Sequence, residues 1–163
     1  IKASKQGRDT SARPRVQQLV EALEEMNPHP RPLESAPEKM TACWELIYTT
    51  SDSILGVNRA RIFRPRPLIL QSINVAELAA MNEEWVLGGI LKNSVRAKLK
   101  PRDDGATVDV QFTRFGIGWI PIPAPPSARG ILKTTFLDDG LRISRGDKGN
   151  TFVLLNKGEP PRC

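Results

Sequence analysis

Acid–base or hydrolytic chemistry requires a histidine beside a nucleophile, or carboxylates that face one another. The 163-residue chain contains a single histidine, His29, set between Pro28 and Pro30, and it reads as a solvated connector residue. Asp103-Asp104 and Asp138-Asp139 are adjacent acids, but they precede Gly105 and Gly140, so turn formation accounts for them. Cys43 and Cys163 have no second cysteine or histidine at metal-ligand spacing. Two such cysteines make neither a metal set nor a disulfide framework, and a reducing compartment is the simpler reading. Arg145-Gly146-Asp147 reads as a turn between two strands before it reads as an adhesion motif. No catalytic residue, metal ligand or phosphate loop is assigned, and the chain is read as a non-enzyme.

Cations and an apolar loop are the groups left to explain. Arg59, Arg61, Arg64 and Arg66 follow one another without an acid, and Arg96, Lys98 and Lys100 alternate with Val95, Ala97 and Leu99. That alternation puts the three charges on one face of a strand. With a net charge of +6, these groups either form a solvated exterior or dock on anionic lipid, each contributing about 1 kcal/mol close to the surface. Nucleic acid fits poorly, because single-strand binders interleave charge with stacking aromatics and Phe63 is the one aromatic within either cluster. The stretch 115–128 carries no charge and holds Trp119, Ile120 and Ile122 among Pro121, Pro123, Pro125 and Pro126. Regular sheet is not expected past Pro121. The loop either caps one end of the fold or presents an apolar patch to lipid or protein, and it is too short and too broken to span a bilayer.

The elements that position these groups follow from periodicity. Hydrophobic residues make up 39% and charged residues 26% of the chain, a globular balance for one domain. Residues 1–9 form a basic tail; five basic residues against Asp9 alone within positions 1–15 resemble the border of an organelle transit peptide or a fragment with a basic end. Residues 10–27 read as an amphipathic helix, with Thr10 or Ser11 as cap, Pro14 in the first turn, and Val16, Leu19, Val20, Leu23 and Met26 on one face. The proline-rich connector 28–40 is expected to run extended. From there the period is two: Trp44, Leu46 and Tyr48 share one side of a strand and Cys43, Glu45, Ile47 and Thr49 the other. Further strands are predicted at 68–75, 86–91, 94–100, 107–115, 130–137, 141–144 and 151–156, with hairpin chemistry at Asp104-Gly105, Asp139-Gly140 and 147–150. Eight antiparallel strands in succession predict a mainly β fold, an up-and-down barrel over 41–157 followed by a tail at 158–163, since closure removes exposed edges.

Taken together, several blocks make the chain resemble the plastid lipid-associated protein, or fibrillin, family. They are Asn27-Pro28 with Pro32-Leu33, then WELIYTTS at 44–51 with SILG at 53–56. VQF at 110–112 leads to Ala124-Pro125, and TTFLD at 134–138, LRISRGDKGN at 141–150 and FVL at 152–154 complete the set. The resemblance implies a lipocalin-like barrel in plastids, peripheral on thylakoid or plastoglobule, that binds or organises lipids, carotenoids or quinones and runs no reaction. It also implies that Trp44 packs on Arg142 or Arg145 and closes the barrel floor by a cation–π contact. Ala42 stands where a lipocalin-type glycine would be.

On that basis the barrel is expected to hold an elongated apolar molecule against Trp44, Leu46, Tyr48, Val110, Phe112, Leu132 and Phe136, or else to be filled by those same side chains. Membrane or partner contact is expected from Arg59, Arg61, Arg64, Arg66, Arg96, Lys98, Lys100, Trp119, Ile120 and Ile122. The alternative is a structural subunit docked on a photosynthetic membrane complex through the same basic residues and the Trp119 loop.

Overall fold

The computed structural model describes residues 2–160; Ile1 and residues 161–163, with Cys163 and the end of the expected tail, lie outside the described residues. The strands are β1 (Ala42–Thr49), β2 (Ile69–Asn74), β3 (Ala79–Val86), β4 (Leu91–Pro101), β5 (Thr107–Ile117), β6 (Ile120–Pro123), β7 (Arg129–Leu137), β8 (Leu141–Gly146) and β9 (Thr151–Asn156). Neighbours pair antiparallel from β1 through β5, then β7, β8 and β9, and β9 returns to β1. Those eight strands form the closed barrel read from the sequence, and β6 is an extra strand held only by the far half of β5. The turn acids act as expected: Asp104 accepts from Ala106 and Thr107, and Asp138 accepts from Gly140 and Leu141.

Three local expectations are corrected. The strand placed at 86–91 is instead β3, and Leu87–Gly89 form a 3-10 turn with positive φ throughout. β3 hides from a period-two reading because its inward positions include Asn82 and Glu84. The chain does continue as sheet past Pro121, since β6 is an edge strand where a missing N–H costs nothing. The connector is not extended: α2 (Pro32–Ser35) and α3 (Pro37–Met40) are single turns, each opened by a proline at its first position. They fold under one barrel end, where Leu33, Ala36 and Met40 join Trp44, Ile73 and Leu137 in the core. That end is the floor.

The amphipathic helix α1 (Arg13–Glu25) lies on the outer wall, with Val16, Val20 and Leu23 packed over Tyr48, Phe136, Ile143 and Val153. Neither Thr10 nor Ser11 caps it: α1 starts after Ala12 without a side-chain cap, and Asp9 instead caps the 3-10 turn Thr10–Ala12 ahead of it, accepting from the Ser11 amide. Glu24 fixes its far end, accepting from Arg145 Nε at 2.8 Å, Arg145 Nη2 at 2.7 Å and Thr135 Oγ1 at 2.5 Å. The basic tail is not free either: Gln6 donates to the Leu46 and Pro67 carbonyls, and Arg8 to those of Leu55 and Pro65.

Candidate functional site

Which side chains face the barrel interior is decided by three bulges. On β1, Leu46 opposes Leu154 but Tyr48 opposes Val153, so Ile47 is the extra residue. On β7, Thr134 opposes Ser144 but Phe136 opposes Ile143, which makes Thr135 extra. A one-residue slip sends every later side chain to the opposite face. Tyr48 and Phe136, expected in the cavity, therefore face outward and pack beneath α1. On β5 the extra residue is Thr113, between the pairs Arg96–Arg114 and Ala97–Phe112. Phe112 and Phe115 then fall on the same side, their ring centroids 6.4 Å apart.

Inside the barrel is a cavity of about 480 Å³, walled in part by Leu46, Ile69, Val95, Val110, Phe112 and Leu132. Its size falls within the range of small-molecule sites, about 300–1,000 Å³. The cavity settles the choice between a filled and a hollow barrel. Four of the seven expected lining residues, Leu46, Val110, Phe112 and Leu132, are on its wall, while Trp44 lies beneath it in the floor core. A polar belt crosses the interior. Arg142 donates through Nη2 to Gln71 Oε1, Gln71 donates to Asn82 Oδ1 at 2.9 Å, and the Thr134 and Ser144 hydroxyls lie 3.5 Å apart.

Arg142 is wholly buried, and its Cζ sits 4.9 Å from the centroid of the Trp44 ring. The indole in turn donates to the Met40 carbonyl at 3.1 Å, tying the pair to α3 and the floor. Burial pushes the guanidinium down to about 9, so it is a cation at neutral pH. Arg145, the other residue expected to meet Trp44, is corrected: it projects from the opposite face of β8 and pairs with Glu24. The alternation of β8 makes only one of the two face inward.

The mouth lies at the opposite end, reached by Ser53, Ile54, Arg59, Glu84, Arg129 and Lys148. Two hairpins rise beside it. Gly118 and Trp119 form the β5–β6 turn, with the Gly118 amide bonded to the Lys92 carbonyl at 2.8 Å, next to the β3–β4 turn that carries Ile90. Trp119 is 92% exposed and Ile90 90%, and Ile117, Ile120 and Ile122 are also exposed. The Trp119 loop therefore does not cap the barrel; it is an open apolar rim.

The arginine loop stands beside that rim. Arg59 is committed to Glu84 at 3.0 Å, Arg64 donates to the Arg59 and Val57 carbonyls, and Arg66 lies against Gly89 of the β3–β4 turn. Arg61 is exposed. The second basic cluster is on the outer wall of β4: Arg96 opposes Arg114, while Lys98 opposes Gln111 and Lys100 opposes Asp109, toward the floor. The two clusters thus do not share one face. Sequence reasoning missed Ile90, which follows two glycines, and Gln71, which looked like an ordinary polar strand position. No group of three or more His, Cys, Asp or Glu able to hold a metal occurs among the described residues.

Relatives bear on the whole arrangement. The chain is 39% identical over 148 residues to the probable plastid-lipid-associated protein 5, chloroplastic, of Arabidopsis thaliana, covering 89% of this chain and 59% of that protein. It is 30% identical to the probable plastid-lipid-associated protein 12, chloroplastic, of the same plant, over 95% of this chain and 42% of that protein. It is 28% identical to the chromoplast-specific carotenoid-associated protein C1 of an Oncidium hybrid cultivar, over 93% of this chain and 64% of that protein. The chain therefore spans about two fifths to two thirds of the length of these relatives. No solved structure matches it. The PAP_fibrillin family model matches residues 2–155, nearly the whole chain. A hollow eight-stranded barrel and that match together establish that the chain belongs to the plastid lipid-associated protein, or fibrillin, family.

Proposed function

We propose that the chain is a non-catalytic plastid protein that binds or organises apolar lipids or isoprenoids, of the carotenoid or quinone kind, and holds one such elongated molecule in its barrel. It rests mouth-first on the anionic lipid surface of a thylakoid or plastoglobule. The observation that carries this reading is the apolar cavity, whose wall residues Asn93 and Phe112 lie on β4 and β5, the strands that lead to the exposed Ile90 and Trp119 at the open end. A rim flanked by Arg61, Arg64 and Arg66 complements an anionic surface. Arg96, Lys98 and Lys100, farther down the wall, add long-range attraction at low ionic strength. The relatives' names, plastid-lipid-associated and carotenoid-associated, support the same reading. Burying about 300 Å² of ligand at about 25 cal/mol/Å² gives a gross gain of order 7 kcal/mol before immobilisation costs, so micromolar or weaker affinity is expected.

The test has two arms. Protein isolated under mild conditions is analysed for co-purifying lipid by mass spectrometry, and an empty protein that also takes up none on titration refutes cargo binding. Flotation with vesicles of phosphatidylcholine and phosphatidylglycerol is then compared for the native chain and Trp119→Ser with Ile122→Ser. The double variant should lose flotation and keep ligand uptake. A native chain that ignores vesicles yet binds thylakoid complexes would favour the second reading, a structural subunit using the same exposed hairpin.

A further inference from the structure

Arg142 is a cation in a place that does not supply its partners. It lines the cavity and is fully buried, yet Nε and Nη1 have no acceptor, and only Nη2 is bonded, to Gln71. Trp44 covers the face of the guanidinium and leaves its N–H edges unoccupied. Orphaned donors on a buried charge are costly, and no carboxylate among the described residues relieves this one. The acids on the cavity wall are Glu83, Glu84 and Asp147. Glu83 is held by Lys92 at 2.6 Å, Glu84 by Arg59 and Asn93, and Asp147 belongs to the loop at the mouth. Between Arg142 and the mouth stand Leu132, Val110 and Phe112, an apolar sleeve.

We infer that the cavity is built for an amphiphile: an apolar chain that enters head first, with a terminal carboxylate seated on Arg142 and its tail running along the sleeve toward the rim. This rests on the cavity being a ligand site, as proposed above, and names the ligand's class. A carboxylate matches the guanidinium fork, accepting two parallel N–H bonds, and a single negative charge balances a single cation. Phosphate monoesters and diphosphates carry more charge than one arginine neutralises, and the other cations on the wall, Arg59, Arg129 and Lys148, stand at the mouth and not beside Arg142.

Calorimetric titration at pH 7 with palmitic acid, its methyl ester and the corresponding alcohol tests the inference. The three probes share one chain and differ in the head. The acid is expected to bind at least tenfold more tightly than either neutral probe, and Arg142→Met is expected to abolish that preference, so that on the variant the acid and the alcohol bind alike. Equal affinity for the three probes on the native protein would overturn the carboxylate assignment and leave the cavity reading intact. No heat with any of them would overturn both. Should Arg142→Met fail to fold, the comparison of acid with ester on the native chain decides the matter alone.

Discussion

Phe136→Ala separates the two faces of the barrel wall. Strict alternation from Leu132 places Phe136 in the cavity, whereas the bulge at Thr135 places it outside, 5% exposed, against Tyr48, Ile143, Val153 and the Val16 and Val20 side chains of α1. Truncating a buried phenylalanine costs about 3–5 kcal/mol through lost transfer energy and the void left behind. For a chain of this size that lowers Tm by roughly 6–20 °C, at about 2–4 °C per kcal/mol. Because the void opens beneath α1 and not in the cavity, ligand affinity measured well below Tm should stay within about twofold. Phe112→Ala is the mirror control: Phe112 lines the cavity and is half-buried, so stability should fall less and affinity should drop about tenfold, the equivalent of about 1.4 kcal/mol of lost contact. Thermal melts by circular dichroism and titration of a fluorescent fatty-acid probe measure both quantities. If Phe136→Ala weakens the ligand as much as Phe112→Ala does, or leaves Tm unmoved, the register argument is wrong.

Two further predictions concern attachments to the wall. Burial alone would raise the Glu24 carboxyl, but hydrogen bonds from Arg145 and Thr135 and the Arg145 charge outweigh it, leaving Glu24 below its ordinary 4.5. A depressed carboxyl stabilises fully above its unfolded value and loses that stabilisation as pH falls through the folded one, so α1 should become sensitive to protease below pH 4.5. Glu24→Gln should weaken α1 at neutral pH by about 1–2 kcal/mol, moderated because part-exposed Arg145 regains water; native-state hydrogen exchange across 13–25 reads the effect. Gly7 adopts φ +102, and a Cβ there would collide with the Thr49 carbonyl oxygen. Gly7→Ala should release the Gln6 and Arg8 contacts, visible as new cleavage within residues 2–9, with the cavity and its ligand uptake unchanged.

Much of the architecture is a local property of the chain. The hairpins follow from Asp-Gly and Asp-Lys-Gly-Asn, the helix from apolar residues spaced by three and four, and closure from eight antiparallel strands whose exposed edges a barrel removes. β3 escaped because Ala79-Ala80-Met81-Asn82-Glu83-Glu84 shows no alternation, and α2 and α3 escaped because a proline that blocks a helix interior also starts a helix well. Among the site residues, Leu46, Val110, Phe112, Leu132 and Trp119 could be picked out from alternation or from an uncharged run. Ile90 could not, since nothing near it marks which turns meet at the mouth.

Periodicity, turn chemistry and motif order are written along the chain, and they suffice for the barrel, its family and the amphipathic helix. It took the folded chain to show that Tyr48, Phe136 and Arg145 turn outward while Arg142 turns inward, and that α2 and α3 seal one end while the other stays open. The reason is physical. A bulge adds one residue to a strand without a side-chain signature of its own, and the face of everything beyond it is fixed by the neighbouring strand's register, a relation between residues far apart in the chain.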